Sequence, residues 1–186
     1  METASISTLD FAARNKEEVL YDRYLAGRDQ ITRGTKEAPY AYVIPQKQRD
    51  SVLAVEMLRR IAFSGVRVYQ LTRTASINGE NYGPNTWVIP TDQEFAAMAR
   101  EVLDIQKYPD LRDTAGVPDQ PYDASGWTLP LSMDVSVVPV KTPLSADARA
   151  AMQLLGPAPS TTLAPLTPYE SSADVAPFDS VPGKGF

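Results

Sequence analysis

The chain contains neither cysteine nor histidine. The first absence removes disulfides, thiolate nucleophiles and Cys-type structural zinc sites together. The second removes the imidazole base and the His-bearing zinc sites of hydrolases. The metal ligands that remain are carboxylates, amides and carbonyls, which suit calcium or magnesium rather than a catalytic zinc. Zinc, thiol or histidine-based catalysis by this chain alone is therefore not expected, and no cofactor is expected in it. An excess of basic charge is missing too: 18 Lys and Arg stand against 23 Asp and Glu, a net charge of -5. Nucleic acid and anionic membrane surfaces, which call for a basic patch, are not expected partners. The longest basic cluster, Arg59-Arg60, sits inside a helical pattern and reads as a solvated helix face. No run approaches the roughly 20 apolar residues of a membrane span. No glycine-rich turn opens a helix after a strand, so phosphate-loop chemistry has no support. Residues 1–13 carry Glu2 and Asp10 and lack a basic start followed by an apolar core, so they do not form a signal peptide. They read as a helix entered partway, as if the chain were a piece of something longer.

What is present suits one domain with a real core. The chain has 186 residues, 43% of them hydrophobic and 22% charged, both in the globular range. Residues 3–31 read as a packing helix, in which Leu9, Ala13, Leu20 and Tyr24 recur at spacings of four and seven and Gly34 provides the stop. The run Pro39-Tyr40-Ala41-Tyr42-Val43-Ile44-Pro45 reads as a strand buried on both faces. Asp50 is the expected N-cap of a helix from Ser51 to about Ser64. Its stripe is Val52, Val55, Leu58 and Ala62, broadened by Leu53, Met57 and Ile61, and Gly65 takes the left-handed terminal position. Residues 66–71 form a second strand, so that residues 39–71 suit a βαβ unit with parallel strands.

A hairpin turning at Asn78-Gly79 follows, since that pair favours a type I′ turn. Gly83-Pro84-Asn85 makes a second bend before a strand at residues 86–90. Thr91-Asp92-Gln93-Glu94 reads as a capping box that opens a helix with the stripe Phe95, Met98, Ala99, Val102 and Leu103. Residues 107–126 are a polar loop. Residues 135–140 form the last strand, and Pro130 and Pro139 place this region on an edge. Residues 145–155 form a short helix capped by Ser145. Six prolines follow between Pro157 and Pro182, a composition that reads as a flexible tail. The expected fold is α/β: a small mixed sheet with a βαβ unit, a β-hairpin and flanking helices, preceded by a long N-terminal helix. The expected divisions are 1–34 (N-terminal helix), 35–155 (α/β domain) and 156–186 (Pro-rich tail).

Candidate chemistry is sparse. Asp110, Asp113, Asp119 and Asp123 share one loop without calcium-loop spacing, and read as solvated acids. A glycosidase-type carboxylate pair needs two facing acids about 5 to 10 Å apart. Glu94 and Glu101 share a helix face, with nothing placed opposite them. Tyr40, Tyr42, Tyr69, Tyr82 and Trp87 offer either core aromatics or a stacking surface for peptide or glycan, with Tyr40, Tyr42 and Trp87 as the candidate binding residues.

Several motifs in order resemble one family. They are Ala12-Ala13-Arg14-Asn15-Lys16-Glu17, the 39–45 run, Gln48-Arg49-Asp50, the segment Tyr82-Gly83-Pro84-Asn85-Thr86-Trp87-Val88-Ile89-Pro90, and Pro121-Tyr122-Asp123-Ala124-Ser125-Gly126-Trp127-Thr128-Leu129-Pro130-Leu131-Ser132-Met133. The series, over residues 2–140, is similar to the region after the catalytic domain in large bacterial zinc carboxypeptidase-like proteins of the M14 peptidase family. The resemblance implies a non-catalytic accessory module of a metallocarboxypeptidase engaged in proteolysis, with zinc held elsewhere, an extracytoplasmic setting and a peptidase domain as partner. The first helix resembles the closing helix of that peptidase domain. None of the family's zinc ligands or its catalytic glutamate has a counterpart to carry over. The rival expectation is a stand-alone peptide- or glycan-binding module using surface aromatics.

Overall fold

The computed structural model describes residues 2–106, 109–119 and 127–155. The fold is α/β, with a five-stranded sheet and a separate two-stranded hairpin among these residues. The N-terminal helix comes as two pieces, α1 (Glu2–Arg14) and α2 (Lys16–Lys36). The hydrogen-bond ladder runs through the joint, because Asn15 N–H donates to Phe11 O and Val19 N–H donates to Asn15 O, both at 3.0 Å. At 1.5 Å per residue the pair reaches roughly 50 Å.

Gly34 does not stop this helix, which continues to Lys36. A Cβ at Gly34 would lie 2.0 Å from the backbone oxygen of Thr91. The glycine is there because two backbones touch, and the expectation of a terminator is corrected. Helix ends and close contacts both select glycine, so the residue type alone does not separate them.

The sheet is built from β1 (Ala41–Ile44), β2 (Tyr69–Leu71), β5 (Trp87–Pro90), β6 (Val138–Val140) and β7 (Met152–Leu154). Its order is β6-β1-β5-β2-β7, and every neighbouring pair is antiparallel. Strands β1 and β2 flank α3 (Ser51–Phe63) in sequence and run in the same direction. They do not pair with each other, however, which corrects the expected parallel βαβ unit. Strand β5 lies between them and pairs with both, setting Tyr42 opposite Ile89 on one side and Tyr69 opposite Val88 on the other. All four residues of β1 and all four of β5 are buried, as a strand covered on both faces requires. Pro139 lies in the edge strand β6, where a missing N–H is tolerated. Pro130 instead begins a short helix, α5 (Leu129–Ser132).

One sheet face carries Tyr42, Ile44, Trp87 and Ile89 against α3 and α4 (Ala96–Leu103). Asp50 caps α3 as expected, its carboxylate accepting from the N–H groups of Val52 and Leu53. The buried stripe of α3 is Ala54, Met57, Leu58 and Ile61, while Val52 is 50% exposed and Leu53 38%. The helix is thus rolled from the predicted stripe so that its longest side chains meet the sheet. Burying each such side chain contributes roughly 1.5–3 kcal/mol. Gly65 takes φ +92°, the left-handed terminal position expected of it.

The opposite face carries Ala41, Val43, Leu71, Val88 and Val140. It is covered by the hairpin β3 (Ala75–Ile77) and β4 (Glu80–Tyr82) and by α6 (Ala146–Ala150). Asn78 and Gly79, with φ of 56° and 82°, form the expected turn of that hairpin. Ser145 caps α6, but residues 152–154 leave the helix and join the sheet edge beside β2 as β7, correcting the expected helix over 145–155. The tail proposed for 156–186 lies outside the described residues.

Candidate functional site

The aromatic residues marked as a binding surface go separate ways. Tyr42 and Trp87 are each 1% exposed, in the cluster between the sheet and α3. A ring packed on all sides presents no face to a ligand, so both are corrected to core residues. The Tyr42 hydroxyl donates to the Asp104 carboxylate at 2.8 Å. Burial, then this hydrogen bond, pushes its pKa well above the usual phenol range. Tyr40 is half-buried and donates to the Lys36 carbonyl at 3.1 Å, pinning the strand entrance to the end of α2.

The acids scatter as well. Glu94 lies before α4 and pairs with Arg67 at 2.9 Å, whereas Glu101 on α4 accepts from Gln106 at 2.7 Å. They do not share a helix face, which corrects that expectation. Asp110 pairs with Arg112, and the Asp113 carboxylate accepts from Ala115 and Val117 N–H within its own loop. Asp123 lies outside the described residues. Among the described residues no three acidic side chains gather as a metal-binding group. With no histidine or cysteine in the sequence, the residues present do not fit a zinc ion.

Residues 91–94 do not form a capping box. Helix α4 begins after Phe95 without a side-chain cap. Thr91 is fully buried and its hydroxyl donates to the Pro39 carbonyl at 2.7 Å. Gln93 is 2% exposed; its amide donates to the carbonyls of Arg67 (3.1 Å) and Pro90 (2.6 Å) and accepts from Arg67 N–H (2.6 Å). One side chain thereby supplies the backbone pairing that the chain loses where β5 ends. No sequence signal distinguishes this glutamine from the variable position of a capping box. Its importance comes from a loop 26 residues earlier in the chain.

Beside this latch lies a cavity of about 160 Å³ lined by Arg67, Tyr69, Pro90, Asp92, Gln93, Arg149 and Met152. Arg149, on α6, pairs with Asp92 at 2.8 Å, and Arg67 reaches out to Glu94. Arg67 and Arg149 carried no signal in the sequence, because α6 meets the 90–94 turn only in the folded chain, where Arg149 reaches Asp92.

The second feature is the N-terminal helix. Gly27 and Gly34 are buried, and Arg23 lies over the Phe95 ring at 5.1 Å, so the second half of α2 packs on the 91–95 segment. Upstream, the side chains run free of the body: Ile6 is 59% exposed, Leu9 70%, Leu20 68% and Tyr24 56%. The expected packing stripe exists as a pattern, but among the described residues nothing covers its upstream part.

In comparison with known proteins, the chain matches no family model, no curated protein and no solved structure.

Proposed function

We propose that this chain is a non-catalytic accessory module that docks, through the overhanging part of its N-terminal helix, on a separate folded domain. One observation carries the reading. The helix face that is buried at Gly27 and Gly34 continues upstream at helical spacing through Tyr24, Leu20, Ala13, Leu9 and Ile6, all exposed. Helices draw most of their stability from packing an apolar face, so a second body beside the first is what this stripe fits. The resemblance of the motif series to the region behind a zinc carboxypeptidase domain supports a peptidase domain as that body.

The test is a binding titration between this chain and the catalytic domain of a bacterial zinc carboxypeptidase-like protein, with Leu9→Arg/Leu20→Arg as the control. Saturable binding that the control loses by tenfold or more, about 1.4 kcal/mol, is expected. Equal binding by both chains would place the interface elsewhere. Separately, zinc-dependent release of C-terminal amino acids by this chain alone would overturn its non-catalytic assignment.

A further inference from the structure

We propose that the cavity between Arg67 and Arg149 binds a small organic monocarboxylate, an anion with a compact apolar body. The cavity has the right size. Its 160 Å³ is close to the roughly 150 Å³ of a cavity known to accept benzene. Its lining has two characters. Tyr69, Pro90 and Met152 are its aromatic and apolar lining residues, and Arg67 and Arg149 its cationic ones. They arrive from distant parts of the chain, Arg67 just before β2 and Arg149 on α6. Two arginines line it against Asp92, and Glu94, paired with Arg67 beside the cavity, balances the second positive charge.

Both arginines are held in place without being used up. Arg149 meets Asp92 through Nη2, and Arg67 meets Glu94 through Nη2. A guanidinium carries five N–H donors in a planar fork, so each retains donors for a second carboxylate. Arg67 is further fixed by its own backbone, whose N–H and carbonyl are both engaged by the buried Gln93 amide. Guanidinium donors on a restrained backbone lose little freedom on binding, which favours planar two-oxygen recognition. Asp92 leaves these donors free and competes only through its negative charge, which opposes a second carboxylate at Arg149.

The test is a nuclear magnetic resonance titration of the full chain with benzoate, its neutral isostere benzamide, and inorganic phosphate. Benzoate is expected to shift the signals of Arg67, Tyr69 and Arg149, with benzamide weaker by at least about tenfold, the equivalent of one charge-assisted hydrogen bond. Arg149→Gln is expected to weaken benzoate by a similar factor. Asp92→Asn removes the competitor and is expected to strengthen it. Both substitutions are at part-exposed side chains, and circular dichroism confirms folding. Should Arg149→Gln fail to fold, Asp92→Asn decides. The proposal is overturned if benzoate shifts nothing at these residues, if benzamide binds equally well, if phosphate binds as tightly as benzoate, or if Asp92→Asn leaves the affinity unchanged or lower.

Discussion

The body and the upstream half of the N-terminal helix follow the same periodic rule with opposite results. In α3, apolar residues at helical spacing meet the sheet, and Met57 and Leu58 are fully buried. In α1 and the start of α2, residues with comparable spacing end in solvent, with Leu9 at 70% and Leu20 at 68% exposure. The pattern states that a face is apolar. It does not state what covers it. In α3 the cover is the chain's own sheet; along residues 6–24 nothing among the described residues supplies one.

The contrast yields measurable differences. The largest effect is expected at the joint between the regions. Gly34→Ala sets a Cβ against Thr91 backbone at 2.0 Å, so the helix must lift from the 91–95 segment. A loss of about 3 kcal/mol or more is expected, read as a lowered denaturation midpoint. A stability equal to that of the parent chain would mean that the helix does not rest on the body there.

Next comes the core itself. Leu58→Ala, at a fully buried site, is expected to cost roughly 2–4 kcal/mol in urea denaturation, since both transfer energy and cavity formation act against it.

A smaller effect belongs to Tyr42. Its pKa is raised in the folded state by burial and by Asp104, so on raising the pH the unfolded chain loses its phenolic proton first. The contribution is therefore complete below the ordinary phenol value, about 10, and declines as the pH rises above it. The parent chain should lose stability above that pH, and Tyr42→Phe should flatten this limb while costing about 1 kcal/mol at neutral pH from the lost hydrogen bond. An unchanged alkaline limb in the variant would assign that sensitivity to another group.

The smallest effect completes the comparison. Leu20→Ala should alter the stability of the isolated chain by less than about 0.5 kcal/mol, although leucine and spacing are as good there as in α3. A loss comparable with Leu58→Ala would show that the helix is covered in the isolated chain and would remove the docking proposal.

Much of the local structure was legible. Asp50 as a cap, Asn78-Gly79 as a turn, Gly65 as a left-handed terminus, the doubly buried strand β1 and the presence of a strand at β5 all rest on chemistry within a few residues. The candidate site was not legible. Gln93 and Thr91 matched a capping-box pattern yet serve as latches to Arg67 and Pro39. Tyr42 and Trp87 fitted a stacking surface as well as a core until β5 was seen in the middle of the sheet. Glu94 and Glu101 shared a face only on a helix that began earlier than α4 does.

By itself the sequence determined what this chain lacks, the histidine and cysteine of zinc and thiol chemistry, and a set of local features: the cap of α3, the hairpin turn at Asn78-Gly79 and the buried strand β1. These are properties of single residues and of short spacings. Tertiary structure alone decided that β5 would part β1 from β2, that Gly34 would serve a contact between backbones, that Arg67 and Arg149 would face one cavity, and which apolar stripe would be left uncovered. Each of these depends on segments tens of residues apart meeting in space. Local propensity does not encode such a meeting, because its free energy arises only when the two surfaces are brought together.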